Sequence, residues 1–276
     1  MPRPLSNSTP RADLHLHSTY SDGVHSPRHL VELAGVAGLC ALSITDHDDV
    51  QSVGEAHATG QELGVEVIAG VELSTVERGI ELHLLGYFID PQCPQLIEYL
   101  RFFQEERLKR AHKIVALLRQ VGCPVSLESV MRHSAKGSVG RPHIAQAMVE
   151  CGFVSSAGEA FALYLSQDRP AFVPKYKIAA SEAIALIAAA GGLSFVAHPG
   201  GNVPDDLILT LIKQGLQGVE TVHPGIHPPM CTTTGHWWRD MAFWRLEALI
   251  YTASRTKSRW ALTRCPTWRY EGCGNW

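Results

Sequence analysis

The first 236 residues contain no tryptophan; all six lie between Trp237 and Trp276. No C-x-x-C spacing occurs among the seven cysteines, so neither a cysteine zinc site nor a disulfide framework is indicated. No apolar run reaches the roughly 18–20 residues that a membrane helix needs. The opening "MPRPLSNSTPRADLHLH" lacks the apolar core of a signal peptide, which predicts a cytoplasmic location and no membrane partner. A net charge of −3 is too little positive charge to hold duplex nucleic acid. The 276 residues leave room for one α/β barrel or two modest domains. What the chain has in quantity is histidine, fourteen in all.

The histidines cluster where strands end. In "RADLHLHSTYSDG", Ala12, Leu14 and Leu16 alternate with Asp13, His15 and His17, so both imidazoles share one strand face. Such a face is either wet or lines a site. Ser21-Asp22-Gly23 then turns a carboxylate back toward the strand's end. Leu39 to Thr45 is an apolar run typical of a buried parallel strand, and it stops at Asp46-His47-Asp48-Asp49. A helix N-cap would explain one of these aspartates but not the histidine among them. A strand over Val65 to Val71 is expected to end at Glu72. His83 alternates with leucines in "IELHLLGYFID", His198 follows the run Leu193 to Ala197, and Glu220 and His223 lie near the end of "GLQGVETVHPG".

Helical stretches separate these strands: Pro27 to Gly38, Gly54 to Gly64, Ser181 to Ala190 and Asp205 to Gly215. Strand–helix alternation predicts a parallel α/β sheet or barrel, whose sites gather at the C-terminal strand ends. Imidazoles mixed with carboxylates suit Zn²⁺, Mn²⁺ or Fe²⁺ better than Ca²⁺ or Mg²⁺ alone. His15, His17, Asp22, His47, Glu72, His83 and His198 are too many donors for one tetrahedral ion, which predicts two or three metals.

In order along the chain stand D-L-H-L-H-S-x-x-S-D-G, T-D-H-D, G-V-E-L-S, H-L-L-G-Y and A-H-P. With these the sequence resembles the polymerase-and-histidinol-phosphatase (PHP) family of metal-dependent phosphoesterases. The resemblance implies a distorted seven-stranded (βα) TIM-like barrel with a helical insertion, a trinuclear site on those seven residues, Glu72 as bridging ligand, and hydrolysis by metal-activated water. Manganese is the first expectation, iron or zinc the alternatives. The branch it most resembles acts on nucleoside 3′,5′-bisphosphates and short oligonucleotide 5′ ends; a histidinol-phosphatase-like or polymerase-associated phosphoesterase, or a non-catalytic binding protein, are the other readings. His198 or Asp46 is expected to relay protons. Arg141-Pro142-His143 at a helix start suits a phosphate, since N–H dipoles and a guanidinium converge there, although Pro at a first helical turn with a surface Arg is also ordinary. Glu105, Glu106, Arg107, Lys109 and Arg110 read as the charged face of a long helix, and Lys175 and Lys177 as solvated. Oligomeric state is left open.

The expected organisation is a first barrel part over 1–90, a helical insertion over 91–176, a second barrel part over 177–225, and an aberrant tail over 226–276. The PHP pattern should close with a seventh strand ending in G-S-D-x-H-G, which supplies an Asp and a His ligand; no such motif occurs in this chain. Through Gly225 there are 17 basic and 24 acidic residues, a net of −7; beyond it there are 7 and 3, a net of +4. Reading the tail one base out of register, with permissible codons, turns "MCTTTGHWWRDMAFWRLEALIYTA" into "VYYYWALVAGYGVLATGGSDLHG". The absent motif reappears behind an apolar strand. The expectation is a base lost near the Gly225 codon, leaving the barrel without its last strand.

Overall fold

The computed structural model describes residues 11–134, 138–199 and 203–222, together with the strand backbone of 244–247; of 221 and 222 it describes the backbone only. The barrel portion begins with β1 (Ala12–Leu16), α1 (Pro27–Val36), β2 (Ala41–Ile44), α2 (Ser52–Leu63), β3 (Glu66–Glu77) and β4 (Ile80–Tyr87). Local chemistry sets these bounds. The Ser26 hydroxyl caps α1 by accepting from the His29 amide, and Pro27 follows at the first helical position. Gly64 ends α2 in the left-handed region. Arg78 and Gly79, both at positive φ, make the tight turn that folds β4 back on β3.

A helical segment then intervenes: α3 (Pro94–Gln120), α4 (Leu127–Ser134), α5 (Arg141–Glu150), α6 (Ala157–Ala160) and a π-helical turn over Phe161–Leu165. The chain returns through β5 (Ile178–Ala179), α7 (Ala180–Ala189), β6 (Leu193–Val196), α8 (Asp205–Lys213), β7 (Gly218–Val222) and β8 (Trp244–Glu247). No helix among the described residues is long and apolar enough to cross a membrane.

The sheet runs β1-β2-β3-β4-β6-β7-β8, with β5 against β3. Pairing is parallel except around β4, which is antiparallel to both β3 and β6. β1 and β8 do not pair with each other among the described residues, yet the sheet is curled. The Tyr87 hydroxyl of β4 donates to Leu14 O of β1 at 2.9 Å, and His15 of β1 reaches Glu220 of β7 at 3.2 Å. Strands far apart in the order thus meet across the concave face, as in a half-closed barrel.

Two expectations need correction. Glu72 does not end its strand. β3 continues to Glu77, because the hairpin turn lets it pair with β4 along its whole second half. Nor does the sheet stop at β7: Trp244–Glu247, from the tryptophan-rich segment, pairs parallel to it. That strand, WRLE, carries neither Asp nor His. The rest of the tail, and with it the position expected for the absent motif, lies outside the described residues.

Two apolar clusters concern the site. Leu14, Leu85, Tyr87, Phe195 and Ala197 fill the sheet's concave side beneath it. The helical segment has a core of its own, which includes Ile114, Leu118, Ile144, Met148 and Leu165. Shortening one of these fully buried side chains, as in Leu118→Ala, costs roughly 2–5 kcal/mol.

Candidate metal centre

Glu72 is fully buried and sits at the middle of the site. Its Oε2 lies 3.1 Å from His15 Nε2, 3.1 Å from His17 Nε2 and 3.3 Å from His47 Nδ1. Its Oε1 lies 2.8 Å from His83 Nδ1 and 3.1 Å from His198 Nε2. Five imidazoles from four strands and their following loops therefore converge on one carboxylate. The backbone pairs them too, through an isolated parallel bridge between His47 and Glu72. Asp22 flanks the group, with its oxygens 3.6 Å from His17 Nδ1 and 3.8 Å from His47 Nε2. Its turn packs tightly: a Cβ at Gly23 would lie 2.0 Å from His17 O. All seven residues expected from the sequence are brought together.

The donor set fits cations better than it fits itself. Two groups hold ligand atoms within 4.8 Å of one another, His15/Glu72/His198 and His17/His47/Glu72, and they share Glu72. The His15 and His17 Nε2 atoms, one from each group, stand 3.3 Å apart. His47 Nδ1 is buried within reach of Glu72 but makes no hydrogen bond. Burial pushes the Glu72 carboxyl up, but His47, His15 and His83 outweigh it and hold the group well below the usual carboxylate range. Burial pulls His47 down to about 3, which leaves a neutral imidazole with a free lone pair. Burial also lowers His15, yet Glu72 and Glu220 override it and raise it to about 10. In the ion-free chain a proton therefore occupies the nitrogen that a cation would take.

The supporting residues were less legible. Asp46 accepts from Ser18 N at 2.7 Å and from the Ser18 and Ser21 hydroxyls at 2.6 Å each. Among the described hydrogen bonds none joins its carboxylate to an imidazole. Asp48, at φ 53°, accepts from Ser74 N at 3.0 Å and pairs with Arg107 and Lys175. Burial pushes Asp48 up, but Lys175 and Arg107 hold its carboxyl far below the ordinary range. Lys175 is thus not solvated; burial drives it down to about 8. Lys177 pairs with Glu81.

Arg107 and Arg110 do not sit on a charged outer face. They are 8% and 9% exposed, in line with Phe103 and Ile114 on the buried side of α3. That 3–4 residue spacing was the signal available in the sequence. Arg141 donates to Leu165 O at 3.1 Å, and its guanidinium lies over Phe161 and Phe172. Burial lowers Arg110 to about 10, and the neighbouring Arg141 and Arg107 add to the effect. His143 Nδ1 accepts from Gly140 N at 3.0 Å; burial depresses its pKa, against the pull of Asp22 and the Ser21 backbone.

A family model for the PHP domain matches residues 13–190. The chain belongs to the PHP family. A 5′-3′ exoribonuclease of Haemophilus influenzae is 39% identical over 191 residues, 69% of this chain and 69% of that protein. The 5′-3′ exoribonuclease Rnm of Escherichia coli is 37% identical over 68% of this chain and 65% of its own length. A 3′,5′-nucleoside bisphosphate phosphatase of Chromobacterium violaceum is 32% identical over 78% and 77%. Among solved structures, one described as a metal-dependent phosphoesterase of Bifidobacterium adolescentis superposes with a TM-score of 0.77 at 29% identity, covering 82% of each chain. An amidohydrolase of Chromobacterium violaceum, solved with sulfate and no metal, gives 0.79 at 29% identity over 89% and 88%. A PHP-like α/β fold with a divalent-metal site of His and Glu donors follows from these likenesses and the geometry above.

Proposed function

We propose that this chain hydrolyses phosphate monoesters of small nucleotides, 3′,5′-bisphosphonucleotides first, or the 5′ ends of short oligonucleotides. The observation that carries the proposal is the convergence of five imidazoles on Glu72 beside a cluster of buried arginines. His15, His17, Asp22, His47, Glu72, His83 and His198 would hold two or three divalent ions, manganese first and iron or zinc otherwise. When bound, such ions polarise phosphoryl oxygens and supply a nucleophilic water near neutral pH.

The chain's own groups do the rest. Glu72 keeps both donor groups in one register. Asp46 ties down Ser18 and Ser21 and so fixes the loop that carries Asp22. In this reading it positions rather than relays protons, and His198 serves as a ligand. Arg141 and His143 open α5 beside Arg110, where fixed positive charge and helix N–H groups favour a substrate phosphate. Residues 91–176 act as the substrate-facing helical insertion between the barrel parts 1–90 and 177–225. A histidinol-phosphatase-like or polymerase-associated substrate uses the same metal face but has less need of those arginines.

The tail over 226–276 is proposed to derive from a lost base, which removes the Asp and His of the expected closing motif. The test assays the written chain and a frame-corrected chain, both with Mn²⁺, on 3′,5′-bisphosphonucleotides, 5′-phosphorylated trinucleotides and histidinol phosphate. Turnover of the nucleotides by the corrected chain, and far less by the written one, is expected. Equal turnover sinks the tail proposal; preference for histidinol phosphate sinks the substrate proposal.

A further inference from the structure

Glu220 is fully buried on β7 and lies behind the metal-facing atoms. Its Oε1 is 3.2 Å from His15 Nδ1, the ring nitrogen that faces away from Glu72. Its Oε2 accepts from the His198 backbone N–H at 2.6 Å. His198 has φ 27°, a conformation that costs a non-glycine residue energy and persists only when its surroundings hold it. One carboxylate therefore grips two histidines of the same donor group, one by its ring and the other by its backbone.

We propose that Glu220 is the positioning residue of the His15/Glu72/His198 group; the proposal rests on the reading of these imidazoles as metal ligands. A carboxylate only accepts hydrogen bonds. With a cation bound, His15 would therefore keep its proton on Nδ1 and turn the Nε2 lone pair, now 3.1 Å from Glu72, to the ion. The same carboxylate fixes the turn that aims His198 Nε2 at the other oxygen of Glu72, 3.1 Å away. Glu220 does not touch substrate and is not a ligand. It sets the tautomer of one ligand and the backbone of another.

The decisive variant is Glu220→Gln. Glutamine has one accepting oxygen and one donating NH₂ where glutamate has two acceptors. Turned one way, its NH₂ opposes the His15 Nδ1–H and favours the tautomer with its proton on Nε2. Turned the other way, it opposes the His198 N–H. Either way one of the two histidines loses its support while volume is kept.

The full chain would be stripped with chelator and titrated with Zn²⁺ against a chromophoric competitor. Long-range ¹⁵N–¹H spectra of the Zn²⁺-loaded protein would report the His15 tautomer. Expected are Nδ1–H on His15 in the wild type and a 10–100-fold weaker Zn²⁺ affinity in Glu220→Gln. Leu211→Ala, a fully buried and destabilising change on α8, is the control for lost stability and should leave affinity unchanged. Equal affinity in Glu220→Gln and wild type, or the same loss in Leu211→Ala, overturns the role of Glu220. If Glu220→Gln does not fold, the wild-type spectrum still decides, because a His15 proton on Nε2 overturns it. A wild type that binds no Zn²⁺ sinks the metal-ligand reading itself, a separate result.

Discussion

Two buried carboxylates, Glu72 and Asp48, lie close along the same fold and have opposite surroundings. Glu72 faces five imidazoles, all of them bases that a proton or a metal ion can claim. Asp48 faces a guanidinium and an ammonium, cations the chain supplies itself. The first group has donors in excess of positive charge and is completed from outside. The second is already neutralised, and it links the β2–α2 loop to α3 and to the segment before β5. Burial of ionisable groups alone therefore does not mark a binding site. What marks it is the identity of the partners.

The comparison breaks most sharply at Glu72. Glu72→Gln removes the charge that both donor groups share. We expect metal content, read by elemental analysis, to fall to background. In the frame-corrected chain the same change should lower phosphatase activity on the order of 10³-fold or more, the several kcal/mol such ions contribute. The fold should persist, as read by circular dichroism. Full metal content in Glu72→Gln would put the centre elsewhere.

Asp48→Ala should act on stability instead. It leaves Arg107 and Lys175 buried without a counter-charge, at a cost of about 3–5 kcal/mol in urea unfolding. Replacing all three by apolar residues of similar volume should recover most of that loss. If Asp48→Ala alone unfolds like the wild type, the cluster is not a clamp.

The five histidines and Glu72 of the candidate site were legible because each ends or interrupts an apolar strand in one dimension of sequence. His15 and His17 share a face by two-residue alternation, and His47 breaks an apolar run. The clamp was not legible because its members lie 59 and 127 positions apart in sequence, and only the tertiary fold joins Asp48 to Arg107 and Lys175. Arg107 and Arg110 misled for a physical reason. A long charged side chain reads as solvent-facing, although an aliphatic stem lets it lie within an apolar stripe. Glu220 was visible at a strand end, but its two partners depend on how far the sheet curls. The helix bounds were near those expected, whereas the β3–β4 hairpin, and with it Glu72 in mid-strand, hung on a two-residue turn at Arg78-Gly79 that periodicity does not register.

pH separates the two clusters further. His15, raised to about 10 by Glu72 and Glu220 against its burial, holds a proton on the ion-free site at neutral pH. Binding a cation through Nε2 releases that proton. Apparent Kd should rise about tenfold for each unit of acidification per displaced proton. His47, drawn down to about 3 by burial, adds no such dependence near neutrality. Calorimetry in two buffers of different ionisation enthalpy should find proton release on binding, and none would contradict the site. For the ion-free fold the sign runs the other way. A raised folded pKa stabilises fully below the ordinary 6.5 and is lost as pH rises through about 10, so the ion-free Tm should decline over that alkaline range. Asp48, lowered, contributes above the usual carboxylate pKa and fails only in strong acid.

The smallest expected effect belongs to the rim. Arg141 is only half-buried, and its described contacts are a carbonyl and two aromatic faces, with no directly paired carboxylate. A guanidinium held by a carbonyl and rings keeps hydrogen-bonding capacity for an incoming phosphate. In the frame-corrected chain Arg141→Ala should raise KM for a 3′,5′-bisphosphonucleotide about tenfold, the worth of one charge-assisted hydrogen bond, and change kcat less. The same variant should leave KM for a simple aryl phosphate unchanged, since that substrate has no second phosphate to place. Arg141→Lys keeps the charge but loses the planar fork, so it should recover only part of the affinity. If Arg141→Ala raises KM for both substrates alike, the residue shapes the site through its packing on Phe161 and Phe172 and does not read the second phosphate.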